Sequence, residues 1–156
     1  MATIITAPEI YTSTQSHVHK IFLAGAIDMG AAVDWQAYVI EQLKDVPNLV
    51  VMNPRRAEFT ADTLDEQILW ELNALEAVDQ IFMWFPKAAK APISFFEAGL
   101  YWRSGKLLVG AEQDFYRRRN LELTALFHST ALYDSLDVMI NRVVIRAASE
   151  TQVLVS

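Results

Sequence analysis

Short apolar runs alternate with longer segments of helical periodicity from about residue 20 to residue 148, and this alternation narrows the fold more than any other feature of the chain. Residues 20–24, 48–52, 79–85 and 106–110 read as strands, with 132–133 as a short fifth. They are rich in Ile, Leu, Val and Phe and mostly lack alternating polar positions, the pattern of strands covered on both faces. Residues 33–43, 64–78, 94–103, 121–127 and 136–148 read as the intervening helices. Strand and helix in turn make βαβ units and therefore a parallel sheet.

Five short strands fit an α/β fold with a flavodoxin-like, doubly wound parallel sheet, a single domain over residues 20–150. Residues 1–19 are expected to form an N-terminal arm, in which Thr3-Ile4-Ile5-Thr6 could be a short strand, and 151–156 a tail that could pair as an edge strand. The chain has 156 residues, 53% of them hydrophobic, which suffices for one full core. Its net charge of −6 argues against a nucleic-acid partner. There is no cysteine, so thiol chemistry and cysteine metal sites are excluded. His17, His19 and His128 show no ligand spacing, and His17 and His19 are expected to be solvated. With no signal-peptide pattern and no apolar run of about 18 residues, the expectation is a cytoplasmic protein without a membrane span.

In a doubly wound sheet ligands bind beyond the carboxyl ends of the strands. Residues 25–30, 53–56, 87–97 and 110–120 gather there. Residues 25–30 do not match G-x-G-x-x-G, and no P-loop lysine is present, so a dinucleotide or triphosphate site is poorly supported. Gly25 either lets a ligand approach the backbone or makes a tight turn. Two carboxylates stand out. Glu97 lies between Phe95-Phe96 and Ala98-Gly99, near the start of the helix expected at 94–103. There the helix N-terminus would keep it ionised, and an ionised carboxylate is a possible nucleophile. Equally, Ser94-x-x-Glu97 reads as a capping box with no further role. Glu71 falls on or beside the apolar stripe Leu64, Ile68, Leu72, Leu75, Val78, either as a surface residue at the stripe's edge or as a second, buried carboxylate with a raised pKa. Two carboxylates in different environments are what cleavage of a glycosidic bond needs: one attacks the anomeric carbon and the other manages the leaving group's proton.

With these residues in view, the chain resembles the nucleoside 2-deoxyribosyltransferase family. The resemblance rests on Phe22-Leu23-Ala24-Gly25, Asp34-Trp35-Gln36, Asn53-Pro54-Arg55-Arg56, Trp70-Glu71, Phe96-Glu97-Ala98-Gly99 and Arg119-Asn120-Leu121. It runs over roughly residues 20–126, and the order and spacing of the motifs carry it more than any one of them. It implies a flavodoxin-like fold and exchange of the base on a 2'-deoxynucleoside through a deoxyribosyl-enzyme ester, with no cofactor and no metal. Glu97 matches the family's nucleophile and Glu71 an acidic position that contacts the leaving base. Asn120 matches an asparagine that a neighbouring subunit donates to the sugar 5'-hydroxyl, which implies a homo-oligomer. Asp34 and Trp35 would shape the base side of the pocket, and Arg55 and Arg56 could bind base or phosphate, or pair with acidic surface groups. The chain departs from the family pattern at Ala91, where an aspartate or serine is usual, so that Ser94 or another group would have to replace its contact. It departs again at Ile21, where a tyrosine is usual, and at Glu122, a carboxylate that could accept the 5'-hydroxyl.

Three functions compete at this point. One is the transferase, acting on deoxynucleosides and free nucleobases. The second is a hydrolase of deoxynucleoside 5'-monophosphates, which would need donors for the phosphate, for example from Arg117-Arg118-Arg119. The third is a non-catalytic nucleotide-binding module on the same fold.

Overall fold

A computed structural model describes residues 1–12, 17–28 and 33–152. Six strands form one sheet: β1 (Thr3–Thr6), β2 (His19–Gly25), β3 (Leu49–Asn53), β4 (Gln80–Phe85), β5 (Leu107–Ala111) and β6 (Leu132–Tyr133). The order is β1-β3-β2-β4-β5-β6, and each pairing is parallel. From β2 the chain steps outward to β3, then back across β2 to β4, β5 and β6, the reversal that defines a doubly wound sheet. The sheet has six strands where five were expected. The additional one is Thr3–Thr6, which extends the edge beside β3 with Thr3 opposite Val50 and Thr6 opposite Asn53. The expected tail strand is not formed at residue 152, which is helical, and its remainder lies outside the described residues.

Alternation along the strands divides the core in two, as the pleat requires. Phe22, Ala24, Met52, Ile81, Met83 and Phe85 face one side, and there α2 (Leu64–Ala77), α3 (Pro92–Tyr101) and α4 (Arg118–Phe127) cover them. Ile21, Leu23, Val51, Phe82 and Trp84 face the other, under α1 (Trp35–Leu43) and α5 (Leu136–Gln152). Asp34 starts α1 by accepting a hydrogen bond from the Ala37 amide (2.9 Å), an ordinary N-cap. The N-terminal segment packs onto the body after β1, where the Glu9 carbonyl accepts from Trp70 Nε1 at 2.7 Å.

His19 departs from expectation. It is fully buried, with Nδ1 3.2 Å from Glu150 Oε1 and Nε2 3.1 Å from Gln80 Oε1, because residue 19 opens the central strand rather than closing a polar arm. His17 is exposed, as expected.

Candidate active site

The carboxyl ends of β2 and β3 and the facing sides of α2 and α3 enclose a cavity of about 470 Å³. Its wall is almost wholly apolar: Phe22, Ala24 and Ala26 from the sheet end, Pro54 and Phe59 from the stretch after β3, Leu64, Ile68 and Leu72 from α2, and Ile93 and Phe96 from α3. Into this wall project Gln67, Glu71, Ser94 and Glu97, and Asp28 stands at the rim. No lysine, arginine or histidine belongs to the lining among the described residues.

Glu97 reaches the cavity from the sixth position of α3, not from its first turn. The helix begins at Pro92, at the first helical position that proline favours, and its N-cap is Ala91 in a left-handed conformation (φ 53°, ψ 48°) with no side-chain cap. Ser94-x-x-Glu97 is therefore not a capping box. The ionising effect expected of the helix terminus is lost too, because that field fades within one turn. Glu97 is buried, only 6% exposed, and its carboxyl is pushed up from 4.5 to about 8, first by burial and then by the charge of Glu71. The expectation that Glu97 stays ionised by its helix end is thus corrected. Glu71 is also shifted upward by burial, an effect opposed by a hydrogen bond from Gln67. The two carboxyls lie in one apolar pocket and resist simultaneous ionisation, so near neutrality they behave as a pair sharing a proton.

Gly25 and Ser94 also lie in the lining. Gly25 has φ 135°, and a Cβ there would stand 2.4 Å from the Trp84 carbonyl oxygen and 2.7 Å from the Trp35 ring. Its glycine is required by protein packing as well as by the turn. Ala91 lines the cavity beside them, whereas Asp34, Trp35, Asn53, Arg55, Arg56, Asn120 and Glu122 do not. Trp35 is a core residue behind it: its ring stacks on Phe82 and its Nε1 donates to the Ala26 carbonyl (3.2 Å), which holds the wall from outside. Asp34, besides capping α1, stands 3.5 Å from Arg55 Nε. Arg55 also donates to Gln36 Oε1 at 3.3 Å. Asn53 Oδ1 accepts from the Arg55 amide (3.1 Å) and shapes the turn after β3. Arg56 pairs with Glu66 at 2.5 Å.

Asn120 is exposed on α4, away from the cavity of its own chain. Glu122 is held by Arg118 (3.0 Å) and Arg119 (3.2 Å), which depress its pKa, rather than being free to meet a substrate. The arginine run is likewise engaged within the chain. Arg118 is largely buried and donates to the Ala111 carbonyl, to Asp134 and to Glu122, while Arg117 lies over the Tyr116 ring at 5.7 Å. Sequence reading missed Gln67. Its signal was its position four residues before Glu71, hence on the same helix face.

The sequence profile of the family described as "Nucleoside 2-deoxyribosyltransferase like" matches residues 18–115. Those residues include β2 through β5, both carboxylates and the whole cavity lining. No curated protein matches the chain. Among solved structures, the chain is similar to a crystal structure of a conserved protein from Enterococcus faecalis V583, with 15% identity over 83% of this chain and 99% of that one, at a TM-score of 0.53. At that identity the likeness speaks for the fold alone.

Proposed function

The chain belongs to the nucleoside 2-deoxyribosyltransferase-like family, and from that premise we propose that it moves a 2'-deoxyribosyl group from one nucleobase to another through an ester on Glu97. One observation carries this reading: two carboxyls, Glu71 and Glu97, converge on one apolar cavity of nucleoside size and share its burial.

In the first step the Glu97 carboxylate attacks C1' of the deoxynucleoside. The C1'–N bond breaks, its electron pair stays on the base, and Glu71 delivers the proton that the leaving base requires. In the second step an incoming base loses a proton to Glu71 and displaces Glu97 from C1'. Between them the carboxyls hold one proton at neutral pH. A base nitrogen bonded to Glu71 draws that shared proton to Glu71, which frees Glu97 to attack. Apolar walls exclude the water that would hydrolyse the ester. Among the described residues, no cationic side chain in the lining offers itself to a 5'-phosphate, which favours a nucleoside over a nucleotide.

The test is chromatography of deoxyinosine or thymidine incubated with and without adenine, beside a deoxynucleoside monophosphate. A new deoxynucleoside formed only when acceptor is present is the expected result, and Glu97→Gln should abolish it while leaving the fold intact. Base release from the monophosphate would point to the hydrolase. Binding without turnover would point to the non-catalytic module.

The site also reads as shared between copies. Ile93 and Phe96 line the cavity, yet both are about 60% exposed, and Leu100 on α3 and Leu123, Leu126 and Phe127 on α4 are exposed apolar residues as well. A second copy seated on these residues would close the cavity mouth, and could bring its Asn120 to the sugar's 5' end.

A further inference from the structure

We infer that Gln67 reads the base: its side-chain carbonyl accepts an N–H from the base edge while its amide group aims Glu71. The inference rests on the deoxyribosyl-transfer reading and deepens it by naming what the base must present.

Gln67 is 6% exposed and lines the cavity. Its Nε2 donates twice, to the Pro54 carbonyl at 2.8 Å and to Glu71 Oε1 at 2.7 Å. A backbone carbonyl can only accept, so the amide nitrogen must face Pro54, and turning the amide over would set oxygen against oxygen there. The orientation is therefore fixed by the fold. Fixing it leaves Oε1 buried with no hydrogen-bond partner among the described residues. An orphaned buried acceptor is costly to keep, and native structures keep one for a reason.

The adjacent polar group in the same wall is the Glu71 carboxyl. Together they present an acceptor, Gln67 Oε1, beside a proton donor, the protonated Glu71. The complement is a base edge with an N–H next to a basic atom: the amino group and ring nitrogen of adenine or cytosine, or the ring N–H and carbonyl of hypoxanthine, thymine or uracil. A base stripped of that N–H leaves Gln67 unpaired. Gln67 Oε1 is closed to water in the empty cavity, so the wall must yield to admit the base. Phe59, on the irregular stretch before the 3-10 turn Ala61–Thr63, is a lining residue outside regular structure.

The experiment measures binding of paired deoxynucleosides, whose glycosidic nitrogen carries no N–H, that differ at this donor, deoxyadenosine against the deoxyriboside of 6-methylpurine and deoxyuridine against 3-methyldeoxyuridine, to the wild-type chain and to Gln67→Leu and Gln67→Met. We expect the wild type to bind the N–H-bearing member of a pair about tenfold or more tightly, the value of one buried hydrogen bond. In the variants that ratio should fall to within about threefold, through loss of affinity for the N–H-bearing member. Equal binding of both members by the wild type would overturn the inference, and needs no variant to fold. So would variants that weaken both members alike and keep the ratio, because Gln67 would then act only through Glu71 and Pro54. Failure of the wild type to bind any of the deoxynucleosides would instead strike at the transfer reading, and this inference with it.

Discussion

Glu97 sets the molecule's response to pH. An unfolded chain releases this proton near 4.5, whereas the folded chain keeps it until about 8. Between those values the native state binds more protons than the unfolded state, so stability falls as pH rises, by up to about 5 kcal/mol across the window if Glu97 acts alone. Glu97→Gln removes the penalty. Thermal melts should show the variant gaining little at pH 5 and several degrees at pH 8; equal melting of both proteins at pH 8 would contradict the burial account. Transfer activity should fall on the alkaline side as the pair loses its shared proton, a limb visible in kcat/KM between pH 6 and 9. Both carboxylates were legible in the sequence because a lone charge in an apolar stripe is an anomaly whatever surrounds it. Gln67 was not, since a neutral amide breaks no pattern and its meaning lies in which hydrogen bonds the fold denies it.

At the scale of elements, the central strands were plainly legible, and the edge strands Thr3–Thr6 and Leu132–Tyr133 were read at their observed bounds but with weaker pattern. Residues buried on two faces leave continuous apolar runs, whereas β1 and β6 hold four and two residues and are set by pairing with a neighbour. The start of α3 was misplaced for a local reason. Ser94 looks like a cap, but Ala91 takes the left-handed conformation and lets Pro92 open the helix, moving Glu97 from the first turn to the second. The run Arg117-Arg118-Arg119 was read as one set of possible phosphate donors, and the fold gives its members different duties. Arg118 ties α4 to the end of β5 and to Asp134 beyond β6. Arg118→Ala should lower stability by about 2 kcal/mol in urea unfolding, because it strands the buried Ala111 carbonyl, whereas Asp134 and Glu122 stay open to solvent. Arg119→Ala, at an exposed pair, should cost under about 1 kcal/mol.

Across the whole molecule, the exposed apolar residues of α3 and α4 predict assembly. Leu126 and Phe127 are 75% and 84% exposed, and neither lines the cavity. Light scattering should show the wild type as an oligomer and the double change Leu126→Glu, Phe127→Glu as smaller particles, with transfer activity reduced and the circular dichroism unchanged. A wild type that stays monomeric at high concentration would remove the shared-site proposal. Among the described residues, no helix is long and apolar enough to cross a membrane.

The parallel sheet has a further consequence during synthesis. No strand pairs with the one that follows it through a tight turn: Thr3 waits for Val50, and Ile21, in the central strand, waits for Val51 on one side and Gln80 on the other. As the chain leaves the ribosome, β2 therefore emerges with both edges bare, gains a partner on one side only when β3 has followed, and keeps the other edge open until β4 has followed. Its apolar run, Ile21-Phe22-Leu23-Ala24, is thus exposed on the nascent chain for the time it takes about 60 further residues to be made, and is a segment for a chaperone to hold.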